Sequence, residues 1–92
     1  MNYEVRFTSQ FKKDFKLAKR RGLDGKKLAF VVEQLAEGLL LPAQYRDHAL
    51  SGLWSRHREC HTEPDWLLIY FTIEEKLGLT LVRTGNHNDL FR

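Results

Sequence analysis

The stretch "CHTEPDWLLIY", Cys60 to Tyr70, sets an imidazole, two carboxylates, a proline and an indole ahead of a wholly apolar run. About twenty residues later comes "RTGNH", with Arg83 and His87, and Phe91 follows His87 by four positions. Histidine changes charge near neutral pH, so His61 and His87 can give or take a proton. Asp65 can orient an imidazole. Arg83 can stabilise charge on a phosphate. Trp66 and Phe91 can stack on exposed bases. Each also has a plainer use: a histidine as a polar strand cap, Asp65 as a turn residue, Trp66 as core, Arg83 as a partner of Glu59 or Glu63.

Strand direction decides whether these residues meet. "DWLLIYFTI" is apolar on both faces, the pattern of a central strand. "LWSRHRECH" before it alternates loosely, with Trp54, Arg56, Arg58 and Cys60 on one face, and "GLTLVRT" after it places Leu79, Leu81 and Arg83 on one face. The alternation sets His57 on the face of His61, further from the tip. Between His61 and Asp65 stand only Thr62, Glu63 and Pro64, a common hairpin-loop length, with Pro64 unable to extend the ladder. His61 and Asp65 are then expected nearly opposite each other. The polar "EEKL" turn sends the last strand back, which carries Arg83 and His87 to the same sheet end as His61, Asp65 and Trp66. A metal site on Cys60, His61 and His87 is not expected: neighbouring strand residues point to opposite faces, and no CxxC or HExxH spacing occurs.

The remaining elements are simpler. "NYEVRFT" alternates as a half-buried strand. Thr8 or Ser9 can cap a helix whose stripe is Phe11, Phe15, Leu17 and Ala18, and Gly22 can stop it. Asp24 can cap a second helix with Leu28, Val31, Val32 and Leu35 inward and Gly38 at its end. "LLLPAQYRDHALSG", residues 39–52, reads as a long loop with extended pieces, and loops of that length are often functional. The expected order is β-α-α-β-β-β. That is a two-layer α+β fold in which a helix hairpin covers one face of a mainly antiparallel four-stranded sheet.

Ninety-two residues suit one domain, taken as 1–92. No apolar run is long enough to span a membrane, and the start lacks the pattern of a signal peptide. A single cysteine excludes an internal disulfide and fits the cytoplasm. Charge is uneven. Between Phe11 and Lys27 eight basic residues face two acidic ones, a net +6 within a chain of +3. The block includes Lys12, Lys13, Lys16, Lys19, Arg20 and Arg21, the electrostatic footprint expected for RNA phosphates. A solvated helix face is the ordinary alternative.

"YRDHALSGLW", "RECHTEPDWLLIY" and "RTGNHNDLF", in that order, resemble the signature segments of YafQ-type toxins of the RelE/ParE toxin–antitoxin superfamily, over nearly the whole chain. The resemblance implies a RelE-like fold and a ribosome-dependent endoribonuclease that cuts mRNA in the ribosomal A site and is held inactive by a cognate antitoxin. It implies His48, His61, Asp65 and His87 as catalytic, with Trp66 and Phe91 in support. His48 enters only through the resemblance, because strand order puts it toward the opposite sheet end unless the long loop carries it back. RNA supplies its own 2′-OH nucleophile, so neither a metal nor a small-molecule cofactor is expected. His87 is the expected acid, His61 or Asp65 the expected base, and His48 assists. The same frame also supports a gyrase-inhibiting toxin or a non-catalytic RNA-binding module.

Overall fold

The computed structural model describes residues 2–91. Its elements are β1 (Glu4–Phe7), α1 (Ser9–Arg20), α2 (Gly25–Ala36), β2 (His48–Ala49), β3 (Arg58–Glu63), β4 (Trp66–Ile73), β5 (Gly78–Gly85) and α3 (His87–Leu90). Short 3-10 turns lie at Ala43–Tyr45, Gly52–Trp54 and Glu74–Lys76. The helix starts follow their caps. Thr8 accepts from the Phe11 N–H at 2.9 Å, and Asp24 from the Lys26 N–H at 2.9 Å. Gly22, at φ +95°, ends α1 in a conformation that favours glycine.

The sheet runs β1-β5-β4-β3-β2, with β1 parallel to β5 and the other pairs antiparallel. The α+β layering is as expected, but the sheet has five strands, not four. The extra strand is β2, two residues of the long loop, which pairs His48 with Glu59 and Ala49 with Arg58. β3 is shorter than expected: Gly52–Trp54 forms a turn, and Arg56 takes a left-handed φ of 69°.

Each sheet face has its own core. Phe11 and Ala18 of α1 and Leu28, Val31 and Leu35 of α2 pack on Cys60, Leu68, Tyr70, Leu79 and Leu81. On the other face Leu67, Ile69 and Leu90 form a smaller cluster with Leu50, Trp54, Val82 and Phe91 against it. β4 supplies both, with Leu67, Leu68, Ile69 and Tyr70 all buried. Burial of each such side chain stabilises by about 1.5–3 kcal/mol. This double anchoring fixes the hairpin tip that follows β3. The face away from α1 and α2 is left partly open, and the histidines lie there.

Candidate active site

The β3–β4 hairpin is tighter than a three-residue loop. Pro64 and Asp65 form the turn, Glu63 pairs with Trp66, and the register shifts between His61 and Glu63. His61 therefore sits opposite Leu67 rather than Asp65. A bulge adds a residue to one strand and re-aims the side chains beside it. His61 and Asp65 still meet: His61, Pro64, Asp65, Leu67, Asn86, His87 and Asn88 line one cavity of about 300 Å³.

His87 reaches that cavity from α3, a turn of helix absent from the sequence reading. Asn86 accepts from the Asp89 N–H at 2.8 Å while the Asp89 carboxylate accepts from the Asn86 N–H at 3.2 Å. This reciprocal cap starts α3 with His87 as its first residue, exposed to solvent. Phe91 lies 5.0 Å from the His87 ring, and Trp54 continues the row 6.4 Å beyond Phe91. His57 touches Trp54 and Phe71 edge-on, on the face the alternation assigned to it.

His48 comes to the same region through β2. Its Nε2 is 3.4 Å from Glu59 Oε1, and His61 Nε2 is 3.9 Å from the same oxygen. Glu59 is buried, at 6% exposure, and it is the functional candidate the sequence reading passed over. Its signal was present: residues 59 and 61 alternate onto one strand face. The Nδ1 atoms of His48 and His61 face backbone carbonyls, Arg46 O at 2.7 Å and Pro64 O at 3.1 Å. A carbonyl can only accept, so each Nδ1 is the donor to its carbonyl and both rings turn Nε2 toward Glu59.

Arg83 and Trp66 are elsewhere. A register shift between Ile69 and Tyr70 interrupts the β4–β5 alternation near Arg83. The guanidinium turns to α1 and makes two hydrogen bonds to Asp14, at 2.9 and 3.0 Å. Asp14 also accepts from Gln10 and from the Thr84 N–H. Burial pushes the Asp14 carboxyl up, but the hydrogen bonds from Arg83, Gln10 and Thr84 outweigh it and hold it below the usual carboxylate range. Trp66 packs against the helix-side core and lines a different cavity with Asp14, Arg83 and Arg21. Convergence at one sheet end is as the strand order predicts; the face is not. Cys60 is fully buried in the helix-side core, where burial pushes its thiol up. No group of three histidine, cysteine or acidic side chains among the described residues is arranged to hold a metal ion.

Lys12, Lys13, Lys16, Lys19 and Arg20 are exposed along α1. Arg21 is also exposed but pairs with Asp89 at 2.9 Å, tying the end of α1 to α3. No helix among the described residues is long and apolar enough to cross a membrane.

The two-layer α+β domain thus presents an open-face histidine cluster and an exposed basic first helix. Residues 3–92 match the family described as bacterial toxin of type II toxin-antitoxin system, YafQ. The mRNA interferase toxin YafQ of Escherichia coli K12 is 44% identical over 89 residues, covering 96% of this chain and 95% of that protein. The crystal structure of YafQ from E. coli BL21(DE3) aligns with a TM-score of 0.91 at 40% identity, over 98% of this chain and 99% of that one. The toxin in the E. coli DinJ-YafQ complex aligns with a TM-score of 0.89 at 41% identity, over 98% and 99%. The chain belongs to the YafQ toxin family.

Proposed function

We propose that this toxin is an mRNA interferase, an endoribonuclease that cuts mRNA on the ribosome and is silenced by a cognate antitoxin. The observation that carries the reading is the cavity shared by His61, Asp65 and His87, with His48 and Glu59 beside it. The sequence match to mRNA interferase toxins supports the same activity, and the relative held in the DinJ-YafQ complex supports the antitoxin.

His61 Nε2, or the Asp65 carboxylate, takes the proton of the RNA 2′-OH. The 2′-oxygen attacks the adjacent phosphorus, the bond from phosphorus to the 5′-oxygen breaks, and His87 protonates that leaving oxygen. The products are a 2′,3′-cyclic phosphate and a 5′-hydroxyl. Glu59 offsets the positive charge that His61 acquires, and His48 is held by the same carboxylate on the cluster's far side. Phe91 and Trp54 offer ring faces for an unstacked base. Arg83, saturated by Asp14, acts through the fold. The exposed lysines of α1 with Arg20 contact ribosomal RNA phosphates, and Arg21 contributes from its pair with Asp89. The working compartment is the cytoplasm, where ribosomes translate.

The test is to map new 5′ ends in ribosome-bound mRNA after induction. Cuts inside translated codons that disappear when the antitoxin is co-expressed are expected. Intact mRNA with stalled gyrase on DNA contradicts the reading, as does harmless accumulation without antitoxin.

A further inference from the structure

A second cavity, about 360 Å³, opens beside the hairpin tip. Lys27 of α2, Gln44, Tyr45 and Arg46 of the turn before β2, and residues 61–64 line it. His61 and Pro64 line this hollow and the His87 cavity alike, so one imidazole forms a common wall. The cleavage set out above acts on a phosphate flanked by two nucleosides. A phosphate held at that wall sends one nucleoside to each side. We propose that the hollow between the Ala43–Tyr45 turn and the hairpin tip is a subsite for the nucleoside of mRNA on one side of the scissile phosphate. The proposal rests on the endoribonuclease reading.

The hollow is built in advance. Tyr45 N–H donates to Pro42 O and Arg46 N–H to Ala43 O, both at 3.0 Å. The Tyr45 ring lies 6.1 Å from Phe30. Asp47, the next residue after Arg46, is clamped by the Tyr70 hydroxyl at 2.6 Å and by Arg58 Nε at 3.3 Å. A pocket ordered before binding loses less freedom when it is filled. Arg46 takes a left-handed φ of 49°, unfavourable for a side chain with a β-carbon. That conformation directs its carbonyl to His48 Nδ1, so one residue joins the hollow to the histidine cluster.

The lining suits a base edge. Gln44 offers an amide donor and acceptor. Glu63 is steadied by Lys27 at 3.7 Å and by the Asp24 N–H at 3.4 Å, and its carboxylate accepts from exocyclic amines. Arg46 has no ion-pair partner among the described residues and is exposed at the rim, where a flanking phosphate passes. Reading the edges of unstacked bases is how proteins select single-stranded RNA.

The experiment maps cut sites on translated mRNA for the wild type, Gln44→Ala and Arg46→Gln, with thermal melts and antitoxin binding measured in parallel. Both side chains are exposed, so melts matching the wild type are expected. At the preferred sites, cleavage is expected to fall roughly 3- to 10-fold per lost hydrogen bond. Base preference should relax at one position beside the cut and stay unchanged at the other. Unchanged preferences at both positions overturn the subsite. So does a uniform loss of rate, which marks a ribosomal RNA contact, or a loss of antitoxin binding alone, which marks a protein interface. A wild type that cuts nothing overturns the nuclease reading along with it, a result distinct from active variants with unaltered preference.

Discussion

Two cavities at one end of the same sheet use similar residues in opposite ways. On the α1 side, Arg83 and Asp14 meet in a two-pronged pair, and Gln10 and the Thr84 N–H take up further carboxylate capacity. On the open face, Asp65 and His87 are exposed, and His61 has one nitrogen held by a carbonyl and the other 3.9 Å from Glu59, beyond hydrogen-bond reach. Strand order delivers charged groups to an end of a sheet. The face they take, and whether a partner already saturates them, separates a structural ion pair from groups free to move protons.

Four substitutions or titrations can break that contrast, beginning with the largest effect. His87→Ala should lower cleavage roughly 10²- to 10⁴-fold, as expected for a lost acid, with an unchanged melting temperature. Cleavage assays on translating ribosomes and calorimetry check the two halves. Asp14→Ala should do the reverse. Stability should fall by about 2–4 kcal/mol, because the Arg83 guanidinium, 27% exposed, loses its partner. Urea unfolding measures this, and a stable but inactive variant would erase the distinction between the cavities.

Glu59→Gln, of the same shape but without charge, should slow cleavage about tenfold, from a lost charge-assisted contact of about 1.5 kcal/mol. The effect should lie in kcat rather than KM, since Glu59 faces the histidines and not solvent. The smallest effect is on acid stability. Asp14 has a lowered folded value, so its contribution is fully present above the unfolded value near about 3.9 and fades as pH falls through the folded value. Urea midpoints should decline in that acid range for the wild type and less so for Asp14→Asn.

Much of this was legible in the residues themselves. An apolar run on both faces, without alternation, placed β4 at the centre, and Thr8 and Asp24 began the two helices. Strand direction brought His61, Asp65 and His87 together. Other features were hidden for identifiable reasons. Two residues of β2 have no periodicity, so only pairing with β3 defines the strand that carries His48. Register shifts near His61 and Arg83 defeat simple alternation, and with it the placement of Arg83. Glu59 was visible as a neighbour of His61 in the pattern, but its burial, which makes it consequential, arises only when β2 and β4 flank β3. α3 was missed, although Asn86 and Asp89 stand at the three-residue spacing of a reciprocal cap.

The central claim is that the open-face cavity cuts RNA through the substrate's own 2′-OH. It is tested most directly by translating an mRNA with one 2′-deoxynucleotide immediately 5′ to a mapped cut. Cleavage at that bond should vanish while neighbouring cuts persist. Continued cleavage at the deoxy position would contradict the account.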